Sequence, residues 1–205
     1  MACNRVSHDP SPAPRVTIRI VAIGGTVNAD SATEQALRLA TRPAAEAGAQ
    51  VSVFGGDYLG TLAHYRGTAY RAGNGGELVD AVRAADGVII SAPGYHGTIS
   101  GLVKNALDYL EDLAGDTRPY LDGRAVGLIT TAFGDQASMG TLLTLRTIVH
   151  SLRGWPTPMG ATIRTFPGMF SVQGECLDDR ARAQIEMVGR QVLDGARALS
   201  TLGQH

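Results

Sequence analysis

The chain has 205 residues, a formal net charge of −1 and only two cysteines, Cys3 and Cys176. That length is most simply one domain with a core of its own, and the near-neutral balance gives no electrostatic footprint for nucleic acid or an anionic membrane. Two isolated cysteines make no disulfide framework and fit a reducing cytoplasm, while no apolar run approaches the ~18–20 residues of a membrane span.

Residues 1–15 (MACNRVSHDPSPAPR) carry three prolines and few apolar side chains, so they read as a disordered leader before a single domain over 16–205. Thr17–Gly24 is a β-branched run ending in glycine, the pattern of a buried strand. Ser31-x-x-Glu34 is a capping-box signature opening a helix that stops at Gly48, with Pro43 expected to kink or split it. Gln50–Phe54 is the second strand, Gly76–Ala85 a helix and Gly87–Ser91 the third strand. In the next helix Ile99, Leu102, Val103, Ala106, Leu107, Leu110 and Leu113 fall on one stripe, with Lys104 and Asp108 facing away as an i,i+4 pair. Arg124–Thr131 is the fourth strand, Ser138–Leu152 a helix, Trp155-Pro156 a hydrophobic corner, and Pro158–Ile163 the fifth strand. Leu177–Leu199 closes the chain as an amphipathic helix, with Asp178 and Asp179 at its electropositive end.

Strands alternating with helices imply an α/β three-layer sandwich: a five-stranded parallel sheet with helices on both faces. In the flavodoxin-like order 2-1-3-4-5, ligands bind beyond the strand ends at the switch point between the first and third strands. The two loops there have the oddest composition in the chain. In the first, Gly24 and Gly25 allow a sharp turn, and Thr26, Asn28, Ser31 and Thr33 offer donors at a helix N-terminus, a nest for one phosphate. On the plainer reading Ser31 caps its helix and the rest is a turn. No G-x-G-x-x-G or Walker sequence is present. The second loop, Pro93, Gly94, Tyr95, His96 and Gly97, pairs two rings with flexible backbone and suits a flat ligand. A third, Ala132, Phe133 and Gly134, stands to close over the ring edge, unless Phe133 belongs to the core. A phosphate-type loop beside a ring-type loop matches the shape of FMN. The five histidines, His8, His64, His96, His150 and His205, lack metal-ligand spacing.

The stretch APGYHGTISGLVKNALDYLEDL resembles the signature of the NAD(P)H-dependent FMN reductases, through Pro93, Tyr95, Lys104, Asn105 and Ala106, and the likeness runs from about Thr17 to Ile163. The resemblance implies a flavodoxin-like fold, bound FMN with the Tyr95 turn against it, and homodimers or homotetramers with sites near subunit interfaces. It also implies hydride transfer from NADPH or NADH to flavin N5, then electron transfer to a flavin, a quinone or another small acceptor, with a partner monooxygenase as one destination for reduced flavin. The flavin carries that chemistry, so no side chain is required as catalyst, and His96 is the one candidate for proton assistance. The first loop departs from the family pattern Gly-Ser-x-Arg-x-Gly-Ser-x-Ser: Asn28 stands at the arginine position and Asp30 at the glycine position. Losing a charged donor and gaining an acid weakens phosphate binding by ~1–3 kcal/mol. Gly55–Arg71 lacks the family's proline-rich run and is expected to shape a particular substrate pocket. Two other readings stay open: a flavodoxin-like electron carrier, disfavoured by the weak net charge, and a flavin-lost scaffold with a biosynthetic or regulatory role.

Overall fold

The computed structural model describes residues 17–67 and 74–202. The leader, Cys3, His8, His205 and part of the Gly55–Arg71 loop lie outside the described residues. Five parallel strands, β1 (Arg19–Gly24), β2 (Gln50–Phe54), β3 (Gly87–Tyr95), β5 (Ala125–Ala132) and β6 (Trp155–Arg164), take the order β2-β1-β3-β5-β6, which is the expected 2-1-3-4-5. A sixth, two-residue strand, β4 (Thr98–Ile99), pairs antiparallel with the end of β3. Its presence corrects the expected run of turn straight into helix.

The sheet is buried on both faces because its central strands are apolar along most of their length, with Ser91, Thr130 and Thr131 the buried polar residues near their carboxyl ends. Ile20, Ala22, Ile89 and Ile129 pack against α1 (Ala32–Glu46) and α6 (Asp179–Leu202). Val21, Ile23, Val88, Ile90 and Leu128 pack against α2 (Gly56–Thr61), α3 (Gly75–Ala84), α4 (Gly101–Asp108) and α5 (Asp135–Ser151). The apolar stripe beginning at Ile99 is divided among β4, α4 and a 3-10 turn over Tyr109–Leu113.

Several ends differ from the sequence reading for local reasons. α1 continues through Pro43 to Glu46 unsplit, and the bond lost at the missing Pro43 N–H falls only one turn before the helix ends. Trp155-Pro156 starts β6 instead of forming a corner; β6 is an edge strand with a register shift beside this point, where a proline costs no ladder bond. α6 begins two residues after Leu177, because Asp178 Oδ1 accepts the Ala181 N–H at 2.8 Å and fixes the start there.

At the amino end of the sheet Arg124 is only 1% exposed. Its guanidinium donates to Val82 O (3.0 Å) and Arg83 O (2.9 Å) at the C-terminus of α3, and to Tyr120 O and Asp122 O (3.1 Å each). Burial, with a smaller contribution from Arg118, holds its pKa down at about 10.

Candidate functional site

The carboxyl ends of β1, β3 and β5 are adjacent, with Gly24 opposite Ser91 and Pro93 opposite Thr131. This register brings the three expected loops to one edge of the sheet, at the switch point between β1 and β3.

After β1 the backbone passes very close to its neighbours. Gly24 and Gly25 have φ of +144° and +95°, and a β-carbon at Gly24 would lie 1.9 Å from Ser91 O. The loop is then knotted by short-range bonds: Asn28 N–H donates to Thr26 Oγ1, Asp30 N–H to Asn28 Oδ1 (3.0 Å) and Ser31 N–H to Asn28 O (3.0 Å). Ser31 Oγ accepts the Glu34 N–H at 3.2 Å and caps α1. The first N–H groups of a helix have no intrahelical acceptor, and this cap leaves those of Ala32 and Thr33 for a ligand or water. Thr33 itself is buried, its hydroxyl 2.6 Å from Thr131 Oγ1 and its carbonyl accepting from Ser91 Oγ at 3.0 Å. Its side chain therefore ties α1 to the sheet.

Glu34 has a role the capping-box reading did not foresee. Its carboxylate does not return to Ser31; it is 2% exposed, accepts the Gly56 N–H at 3.1 Å and pairs with Arg38 at 2.9 Å. A β-carbon on Gly25 or Gly55 would fall within 2.0 or 2.5 Å of its oxygens, and one on Gly56 within 1.6 Å of Thr26 O. The loops after β1 and β2 are thus clasped around one buried carboxylate. Only the tertiary pairing of residues 34 and 56 exposes this role, and the spacing of the sequence carries no signal for it.

The β3–β4 hairpin turns through His96 (φ +48°) and Gly97 (φ +91°), with Tyr95 paired to Thr98. Positive φ at both loop residues is what a two-residue hairpin requires to match strand twist. Gly94 seats the hairpin on α5, since a β-carbon there would meet Thr141 Oγ1 at 2.7 Å. Tyr95 (52% exposed) and His96 project from the tip, Pro93 is buried beneath it, and Phe133 after β5 is 82% exposed, so Phe133 is not a core residue. Ala132 is half-buried and Gly134 exposed beside it. Asn105, from the family signature, ties α4 to the segment after α2. Its Oδ1 accepts the Tyr65 N–H (2.8 Å), and its Nδ2 donates to Ala63 O (3.0 Å), which also accepts from Tyr109 OH (2.9 Å). Burial and the hydrogen bond from Tyr65 OH to Asp112 push the Tyr65 phenol up to about 12.

The donor set fits FMN: open helix N–H groups at one end, exposed rings at the other, and close backbone approach between them at Gly24 and Gly25. The phosphate end fits it less strongly, because Asn28 and exposed Asp30 stand where a cation would help.

A sequence profile of the NADPH-dependent FMN reductase family matches residues 18–166. The FMN-dependent NADPH-azoreductase of Staphylococcus aureus is 40% identical over 82 residues, so the chain spans 40% of the length of that curated relative. Among solved structures, the flavoenzyme NAD(P)H:(acceptor) oxidoreductase FerB from Paracoccus denitrificans superposes with a TM-score of 0.73 at 17% identity, covering 89% of this chain and 98% of that one. The apo form of the NADH:FMN oxidoreductase EmoB gives 0.63 at 23% identity, over 86% and 90%. These two likenesses speak for the flavodoxin-like fold, while the profile covers every strand of the sheet; the chain belongs to the NADPH-dependent FMN reductase family.

Proposed function

We propose that the chain is an FMN-dependent NAD(P)H oxidoreductase that passes electrons to a small planar acceptor. The observation that carries this reading is the meeting of an open helix N-terminus and an aromatic hairpin at the β1/β3 switch point of a chain from this family. FMN bound there supplies the hydride-accepting and electron-donating chemistry. The protein's own part is positional. The N–H groups of Ala32 and Thr33, with Asn28, Ser31 and Thr26, hold the phosphate end; Gly94, Tyr95, His96 and Gly97 line one side of the ring, and Ala132, Phe133 and Gly134 the other. His96, at the hairpin tip, is the side chain that would assist proton transfer beside a bound ring. The name of the S. aureus relative makes azo compounds the first acceptors to assay, with quinones and free flavin beside them.

Exposed Phe133, Met139 and Leu143 lie at and just beyond one edge of the site. They support the reading that a second copy of the chain covers it, which sedimentation would check. No described helix is long and apolar enough to cross a membrane.

The test is an FMN titration followed by visible absorption, then anaerobic addition of NADPH. A perturbed flavin band that bleaches is the expected result. Binding without bleaching would leave an electron carrier, and no binding at tens of micromolar FMN would leave a scaffold that has lost its flavin, the reading that Asn28 and Asp30 favour.

A further inference from the structure

A cleft of 480 Å³ straddles the carboxyl end of the edge strand β6 and is lined by Asp135 and Met139 of α5, Thr162 and Arg164 of β6, and Asp178 and Arg180 at the start of α6. It adjoins the candidate ring site, because Arg164 is the register partner of Ala132. Arg164 and Arg180 are both exposed, and among the described residues neither guanidinium has a hydrogen-bond or ion-pair partner.

In a second cleft, between α1 and α6, the arginines are engaged: Arg190 with Glu186 at 3.3 Å and Arg42 with Gly174 O at 3.5 Å. Arg180 sits in the first turn of α6, where the helix dipole opposes a cation. The acid beside it, Asp179, is paired with Arg182 instead. Two unpartnered guanidiniums on successive elements, one of them in the first turn of α6, leave their fork donors open to an anion, in a cleft that also holds the carboxylates of Asp135 and Asp178. Of the two acids in the cleft, Asp178 already accepts the Ala181 N–H, and Asp135 remains as an acceptor for hydroxyl donors.

We infer that Arg164 and Arg180 bind a phosphate group of the nicotinamide nucleotide, with Asp135 beside them as a ribose acceptor. This deepens the proposed function and rests on it for the identity of the nucleotide. A nicotinamide stacked near Phe133 would run its sugar-phosphate chain over Ala132 toward β6, one strand away. Planar guanidinium forks suit phosphate oxygens, and a pair of them recognises phosphate bidentately.

Calorimetric titration of the flavin-free full-length chain with 2′,5′-ADP tests the cleft without any turnover. Wild type is expected to bind, and the Arg164→Gln/Arg180→Gln variant to bind at least about tenfold more weakly. In steady-state assays the same variant should raise KM more than kcat falls. A rise for NADPH alone assigns the 2′-phosphate, and a rise for NADH as well assigns the pyrophosphate. Absence of wild-type binding at millimolar 2′,5′-ADP, or equal binding by wild type and variant, overturns the inference. FMN affinity, read separately, should be the same in both proteins. If neither protein binds FMN, the oxidoreductase reading falls, while the 2′,5′-ADP titration still decides the cleft.

Discussion

The loop after β1 and the hairpin after β3 face the same ligand space but are shaped in opposite ways. The hairpin makes its own geometry: two positive-φ residues, one cross-strand pair and Gly94 against α5. The loop takes its geometry from elsewhere, from Ser91 O beneath Gly24 and from the Glu34 carboxylate clasped by Gly25, Gly55 and Gly56. A locally determined turn is written in adjacent letters, and its signature is easily recognised. A loop held from outside keeps its backbone while its side chains change, which is how Asn28 and Asp30 can occupy positions the family gives to arginine and glycine without disturbing the cap at Ser31.

If the loop is held from outside, the groups that hold it should be the most sensitive points. Gly56→Ala forces a β-carbon into Thr26 O and is expected to cost about 3 kcal/mol or more and to abolish FMN binding; thermal unfolding and flavin titration read both. If instead the loop's side chains mainly set affinity, Asn28→Arg/Asp30→Gly should cost no more than the Asn28 Oδ1–Asp30 N–H bond contributes, about 1 kcal/mol of stability read by thermal unfolding. The same change should tighten FMN by about 1–3 kcal/mol, up to roughly a hundredfold in Kd. At the hairpin, Gly97→Ala places a β-carbon at φ +91° and should cost about 1–2 kcal/mol of stability, read by thermal unfolding. That cost is backbone strain alone, since open space surrounds the position.

The smallest effect concerns Tyr65, packed on Tyr109 and bonded to Asp112. The folded chain keeps the Tyr65 proton to about pH 12, whereas an unfolded tyrosine loses it near ~10. Folding therefore binds a proton in that window, and stability falls as pH rises from ~10 to ~12. Tyr65→Phe should remove that slope and about 1 kcal/mol at neutral pH, measured by denaturant unfolding across the alkaline range.

Much of this molecule was legible in its sequence for physical reasons. The buried strands are mostly apolar runs, α4 shows its stripe, and glycines mark strand ends, so the alternation that implies a parallel sheet was readable; the order 2-1-3-4-5 came as the flavodoxin-like expectation, which the sheet matches. β4 was not legible, because two residues of pairing leave no periodicity. The helix boundary at Leu177 misled because an apolar residue continued the pattern, and only the Asp178 cap decides where the turn begins. The three site loops could be named, but not the groups that hold them. Glu34 reaches Gly56 across 22 positions, and Arg164 and Arg180 line one cleft only because β6 ends beside the start of α6.

Arg124 lies at the far end from all of these loops. One guanidinium saturates carbonyls from the end of α3 and from the 120–122 segment, so that end of the domain is braced without help from the ligand side. The loops at the opposite end can therefore be exchanged or randomised at little risk to the scaffold. A library that keeps Arg124, Glu34, Gly94 and Gly97 and varies residues 26–30, 95–96 and 132–134 would explore new acceptors on a chassis that still folds.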